Sequence, residues 1–321
     1  MSMDISVVFC QYNPDYEKVI QSLYSLISQK EINFEIIIAD DGSIDDCFDR
    51  IESFFKKNKF ENYLLHKNPV NIGTVKNYLS GIELAQGKYI FMNSPGDIFV
   101  NDYVLRDYFQ FAAKHNADCL FADAVYYSEK DGVCTVKSFT TNPSKPQCYY
   151  WFMPQCIGKS ALFRGRSILG AVFLRKKEYA LKYISEITSI SKYVEDYPSS
   201  LLSVMDGKKI VYFEKVILWY DSGASRSKEE NERWHSIIRK DIDEANLMIK
   251  KRYASDPLYD FYDQSKNKIA RKLRHPILLI VNFIYDTLFF EKKTMASKEV
   301  EDEINNYFDY ISKMINEEGC D

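Results

Sequence analysis

Three apolar, β-rich runs in the first hundred residues each stop at a small polar turn. Ile5–Cys10 runs into Gln11-Tyr12-Asn13, Phe34–Ala39 into Asp40-Asp41-Gly42-Ser43, and Tyr89–Met92 into Asn93-Ser94-Pro95-Gly96-Asp97. Pro95 and Gly96 cannot continue a strand, so the chain must turn there. Between the runs the apolar period changes to that of a helix: Tyr16, Val19, Ile20, Leu23, Leu26 and Ile27, then Ile51, Phe54 and Phe55, then Val75, Tyr78, Leu79 and Ile82. Tyr63–His66 supplies a further short strand, and Gly87 caps the third helix. Strands and helices alternating in this way predict an α/β fold with a mostly parallel sheet and right-handed crossovers. Ligands collect at the carboxyl ends of such strands, where these polar turns lie.

Beyond Asp97 the pattern predicts a helix over Tyr103–His115, a strand over Ala117–Ala122 and a hairpin over Ala124–Lys137 turning at Asp131-Gly132. Ser138–Arg166 is rich in Pro, Cys and aromatics, with Tyr149, Tyr150, Trp151, Phe152, Met153 and Pro154 in succession; it reads as a binding lip or as a loop packed on the core. Ile168–Phe173 is expected to return as a strand. Tyr193–Ser199 carries Glu195-Asp196 into a helix, and Ile210–Phe213 and Val216–Tyr220 are expected as two strands. From Lys228 onward the spacing is helical only, which divides the chain into an α/β unit, 1–227, and a helical extension, 228–321.

Within that extension Lys266–His275 is basic and Pro276–Phe290 is a nearly unbroken apolar run of 15 residues, whose polar positions Asn282 and Asp286 fall on one helical stripe with His275 and Lys293. That run is short of the roughly 20 residues that span a bilayer. Segment 266–293 therefore reads as a helix lying in a membrane interface, or as one docked on the domain or on a second subunit of a homo-oligomer. Glu299–Ile315 is amphipathic and suits packing or dimerisation.

Composition narrows the function. A net charge of −4 gives no broad electrostatic footprint for nucleic acid. No Gly-x-Gly-x-x-Gly turn follows the first strand and no Gly-x-x-x-x-Gly-Lys occurs, so dinucleotide and P-loop readings lack support. Seven scattered cysteines without a Cys-x-x-Cys pair look like reduced thiols, and the first ten residues lack the basic start and apolar helix of a signal peptide. The expectation is a cytoplasmic protein, at the inner face of the membrane if 266–293 meets lipid.

Taken in order, Ser6–Asn13, Ile38–Ser43, Asn71–Asn77, Gly87–Asp97, Glu195-Asp196 and Trp219–Ser225 resemble the inverting family 2 glycosyltransferases of the GT-A fold, over roughly residues 4–227. The resemblance implies a nucleotide-diphosphate sugar donor, UDP-linked, and a glycan or lipid-linked acceptor as in bacterial surface polysaccharide synthesis. It implies that Tyr12 offers a face to the base and Asp41 an acceptor to its imide, with Asn13, Asp40 and Ser43 in the same turns and Lys76 as a cation for base or phosphates. Ser94 and Asp97 would meet the diphosphate, with Ser225 and Arg226 closing over it as a lid.

The family usually supplies Asp-x-Asp to a divalent metal, Mn or Mg. Here Ser94, Pro95 and Gly96 occupy the aligned positions and leave Asp97 as the metal-binding carboxylate. Asp196 would be the base that deprotonates the acceptor hydroxyl, with Glu195 its neighbour or an acceptor contact. The aromatic pair Tyr150 and Trp151 would stack on the acceptor's sugar rings.

Plainer readings stand beside these. Asp-Gly-Ser is an ordinary turn, and two acids before Pro198 suit any helix N-terminus. A nucleotidyltransferase would want a Gly-rich, basic loop after the first strand, which Gln11-Tyr12-Asn13-Pro14 does not provide. The remaining alternative is a catalytically decayed scaffold, in which Ser94 and Gly96 mark lost carboxylates.

Overall fold

The structure, a computed structural model, describes residues 3–130, 133–140, 168–222, 228–256 and 298–315. Strands β1 (Ile5–Gln11), β2 (Phe34–Asp40), β3 (Tyr63–Lys67) and β4 (Tyr89–Asn93) alternate with helices α1 (Tyr16–Ile27), α2 (Phe48–Lys57) and α3 (Thr74–Leu84). All seven residues of β1 and of β2 are buried, as required of strands covered by helices on both faces. Successive β1 side chains alternate between the two faces. Ile5, Val7 and Phe9 join a core with residues of α1 and α2, whereas Val8 and Cys10 join one with residues of α3. Asp15 caps α1, its carboxylate accepting the Glu17 amide at 3.0 Å.

The second half is mixed. β5 (Ile98–Phe99), α4 (Val104–Lys114), β6 (Cys119–Lys130), β7 (Val133–Thr140), β8 (Leu174–Lys176), α5 (Lys177–Ile187), α6 (Asp196–Met205), β9 (Ile210–Asp221) and α7 (Lys228–Tyr253) follow in order. A last helix, α8, spans 298–315. The nine strands run β3-β2-β1-β4-β8-β6-β9-β5, with β7 paired to β6. β3, β2, β1 and β4 are mutually parallel, while β8 runs antiparallel to both its neighbours.

Several expectations need correcting. Helix α3 ends at Leu84 with Ala85 as its C-cap, so Gly87 does not cap it; Gly87 instead packs against β1, where a Cβ would stand 2.3 Å from the Ser6 nitrogen. Ala117–Ala122 and the first arm of the expected hairpin are not separate, since Cys119–Lys130 is one continuous strand. Ile168–Phe173 is not a strand: Gly170–Val172 forms a 3-10 turn, and pairing begins only at Leu174 and Arg175. A short buried apolar run carries no periodicity to separate the two. Helix α5 was not anticipated. Ile210–Phe213 and Val216–Tyr220 are one strand, in which Glu214 and Lys215 bulge out to solvent while Phe213 and Val216 pair with adjacent residues of β6.

The helices beyond residue 227 pack on the sheet unit. Ala245 and Ile249 of α7 are buried, and Ile304 and Phe308 of α8 form a core with Val125, Tyr127 and Trp219. Asn305 and Glu301 of α8 accept the amides of Cys134 and Val136 on β7, at 2.9 and 2.8 Å. Among the described residues, no helix is long and apolar enough to cross a membrane. Segment 266–293 lies outside the described residues.

Candidate active site

Parallel register brings the three early turns to one edge. Gln11 pairs with Asp40 and Phe9 with Asn93, so the loops after β1, β2 and β4 leave the sheet side by side.

The first two loops are laced together. Asp40 is fully buried, and its carboxylate accepts the Ser43 amide (2.7 Å), the Ser43 hydroxyl (2.6 Å) and Gln11 Nε2 (3.1 Å). Ser43 Oγ in turn accepts the Asn13 amide at 2.7 Å, and Asn13 Oδ1 accepts the Ile44 amide at 3.0 Å. Asp40, Ser43 and Asn13 thus build the turn, and Tyr12 is left at its lip, 51% exposed. Asp41 reaches the other way: its two carboxylate oxygens accept the amides of Ile72 (2.7 Å) and Gly73 (2.9 Å), immediately before α3. Burial raises its pKa, and those two amides oppose the rise. Lys76 is exposed on α3.

The turn after β4 is held from three sides. Gly96 donates its amide to Ser22 Oγ of α1 (2.9 Å), and its carbonyl accepts the Tyr127 hydroxyl of β6 (2.6 Å). Asp97, 2% exposed, accepts the Ser94 hydroxyl at 2.7 Å and the amide of Asp221 at the end of β9. Burial pushes its pKa up to about 7. The Asp221 carboxylate itself pairs with Lys18 Nζ at 2.5 Å.

A cleft of about 670 Å³ opens beside this turn, lined by Ser94 and Asp97 on β4's loop and by Thr74, Gly170, Tyr193, Glu195, Asp196, Tyr220, Ile238 and Ile242, among others. Four of the expected site residues therefore share one cavity: Ser94, Asp97, Glu195 and Asp196. Asp41 borders it indirectly, through the Gly73 amide that precedes Thr74. Tyr126 and Tyr220, cross-strand partners with ring centroids 4.9 Å apart, stand close to both carboxylate groups. Burial, then Asp196 and Asp97, pushes the Tyr126 phenol up to about 12, and burial with Asp97, Tyr126 and Asp196 shifts Tyr220 the same way.

Glu195 and Asp196 differ in surroundings. Glu195 is 7% exposed, and burial, reinforced by Asp196 and opposed by Arg175, raises its pKa to about 8. Asp196 is only half-buried, and one of its oxygens accepts the Tyr197 amide at 2.6 Å. Of the two, the deeply buried Glu195 is the one held back from ionising. Beneath them Arg175 is fully buried, donating to Ser199 Oγ (2.9 Å) and the Tyr78 hydroxyl (3.2 Å) and lying 4.7 Å from the Phe173 ring centre. Glu195 Oε2 and Arg175 Nε are buried without a hydrogen-bond partner among the described residues. Such orphaned groups concentrate at functional sites.

For a divalent cation the described residues offer a sparse donor set. No group of three or more His, Cys, Asp or Glu converges among them. Asp97 is a hard oxygen ligand at the cleft wall, and a cation there would need its other ligands from a diphosphate and water. Tyr150, Trp151, Ser225 and Arg226 lie outside the described residues. Thr74 and Tyr220 lie within two of the matching motifs but had no role assigned to them, and Tyr126, Ile238 and Ile242 were not expected at the site.

Comparison with known proteins yields a consistent set of likenesses. Residues 6–170 match the family described as glycosyl transferase family 2. Glycosyltransferase GlyG of Streptococcus pneumoniae serotype 4 is 30% identical over 132 residues, which cover 41% of this chain and 42% of that protein. An uncharacterized glycosyltransferase of Rickettsia bellii is 35% identical over 98 residues, 30% of this chain and 14% of its own length. The chain thus spans less than half the length of these relatives. Among solved structures, S. aureus TarS 1–349 in complex with UDP-GlcNAc is similar with a TM-score of 0.56 at 17% identity, over 85% of this chain and 73% of that one. The mannosyltransferase PcManGT from Pyrobaculum calidifontis, in complex with GDP-Man and Mn2+, gives 0.54 at 10% identity, over 97% and 86%. At these identities the likeness is one of fold.

Proposed function

The chain belongs to glycosyl transferase family 2, and from that premise we propose that this glycosyltransferase moves a sugar, with inversion, from a UDP-linked donor to a hydroxyl of a glycan or lipid-linked acceptor. The observation that carries the proposal is the shared cleft: the Ser94–Asp97 turn and the Glu195-Asp196 pair line a single cavity at the carboxyl edge of the parallel strands.

In this reading Tyr12 stacks on the base, and each Asp41 oxygen, already fixed by a backbone amide, keeps a second lone pair for the base's imide hydrogen. The diphosphate lies toward Ser94 and Asp97, with Ser225 and Arg226 assigned to cover it. Asp97 would hold a divalent cation, Mn or Mg, together with the phosphate oxygens; when bound, such an ion neutralises charge on the departing diphosphate.

Asp196 accepts the proton of the acceptor hydroxyl as its oxygen attacks the anomeric carbon from the face opposite the leaving group. Glu195, whose carboxyl burial holds back from ionising, offers an O–H to the acceptor. Tyr150 and Trp151 are assigned to the acceptor's sugar rings, and 266–293 to contact with the membrane or a second subunit.

The test is a thermal-shift and calorimetric screen of nucleotide sugars with and without manganese, followed by transfer assays on whichever donor binds. A bound donor raises the melting temperature according to its affinity and concentration. Absence of nucleotide binding under every condition would overturn the proposal in favour of a scaffold.

A further inference from the structure

We propose that Asp241, on α7 and beyond both the family match and the sheet unit, is a positioning residue that holds segment 191–194 as a strap across the active site. The proposal rests on the assignment of Asp196 as base, because the strap runs directly into Glu195 and Asp196.

The strap's outer attachment is a single carboxylate oxygen. Asp241 is 7% exposed, and its Oδ2 accepts the Ser191 hydroxyl (3.0 Å) and the amides of Lys192 (2.9 Å), Tyr193 (2.7 Å) and Val194 (3.3 Å). Three consecutive amides turned on one point form a concave anion site, filled here by a side chain from another helix. Burying a carboxylate is costly unless it is hydrogen-bonded, and bonds to an ionised acceptor are about twice as strong as neutral ones. The strap is therefore fixed to α7 in one register.

Its inner attachment lies on the donor side. The Lys192 carbonyl accepts the Val75 amide of α3 at 3.1 Å. The strap also crosses directly over Gly73, where a Cβ would stand 2.3 Å from Lys192 Cγ and 2.7 Å from that carbonyl. Gly73 is the residue whose amide binds Asp41, and the Lys192 charge acts on Asp41 as well. One four-residue segment thus spans from the base-side Asp41 to the acceptor-side Asp196. Its geometry is set by a residue that the division at 227 assigns to the extension.

The experiment compares full-length wild type with D241A and D241N by thermal unfolding, by trypsin cleavage of the Lys192–Tyr193 bond, and by transfer kinetics with the donor the wild type uses. Release of the strap in D241A should speed cleavage at Lys192 by about tenfold. It should lower kcat by about 100-fold, the scale of misplacing a reacting group by about 1 Å, with a smaller change in donor KM. D241N, which keeps the shape and one acceptor oxygen, should recover part of both.

Cleavage at Lys192 that is unchanged in D241A, or activity that falls only in step with the unfolded fraction, would overturn the proposal. Should D241A fail to fold, the isosteric D241N carries the same comparison. The proteolytic readout is independent of transfer. A failed base assignment, seen as full activity in Asp196→Asn, is therefore distinguishable from a failed strap.

Discussion

Glu195 and Gly170 are built around each other: a Cβ at position 170 would stand 1.9 Å from Glu195 Oε1. The 3-10 turn that replaced the expected strand exists where this approach happens. In Gly170→Ala the carboxyl must move, and since Glu195 is buried the displacement would propagate to Asp196, whose Cβ is 3.4 Å from the same point. Overpacking of this kind costs about 1–3 kcal/mol. The variant should melt several degrees lower, and its transfer rate should fall by more than its loss of folded protein explains. Wild-type values in both assays would remove this contact from the mechanism.

Replacement of the two adjacent acids should have unequal effects. Asp196→Asn removes the proton acceptor and should cost about 100- to 10,000-fold in transfer while leaving nucleotide affinity near the wild-type value. Glu195→Gln resembles the neutral acid already present near pH 7 and should retain far more activity. Side-by-side steady-state kinetics and UDP calorimetry on the two variants check the assignment, and the reverse ranking would exchange their roles.

A pH dependence of stability follows from the same residue. The Glu195 pKa rises from its ordinary 4.5 to about 8 on folding, through burial and then Asp196, against Arg175. Tyr78, Tyr220 and Cys10 also face it electrostatically. The folded chain therefore holds a proton that the unfolded chain releases. Its contribution is complete below pH 4.5 and is lost as pH rises through about 8. Melting temperatures of wild type and Glu195→Gln measured across that window should diverge, wild type falling relative to the variant as pH increases. A constant difference would mean that Glu195 is ionised in the folded state.

Metal involvement is separable from nucleotide binding. If Asp97 holds the cation, manganese should tighten UDP binding to wild type, and Asp97→Asn should lose that increment while keeping the metal-free affinity. Titration calorimetry of both proteins in chelator and in manganese reads the difference. An equal manganese effect in the variant would assign the cation to other ligands.

The sequence was most informative where interactions are local. β1, β2 and β4 are β-rich apolar runs bounded by turn residues, and the polar turns that end them lie at one edge, as parallel pairing demands. Glu195-Asp196 was visible as an acidic pair opening a helix. Helix α5 did carry its signal in Ala180, Tyr183, Ile184 and Ile187, but its start has no side-chain cap and follows β8 with no turn residue between them. Asp241 had no such signal. Its partners lie 47 to 50 positions earlier, and an acid on a charged helix ordinarily faces water. The Lys18–Asp221 pair, 203 positions apart, was hidden for the same reason.

The α8 side chains that meet β7 also bear on self-association. A strand at the margin of a sheet presents a row of unmet amides that a neighbouring molecule can adopt as a template, the usual route to runaway β-assembly. With the Cys134 and Val136 amides already engaged by Asn305 and Glu301, that margin is a poor template for a second copy. Removal of α8 would uncover those two amides for edge-to-edge pairing.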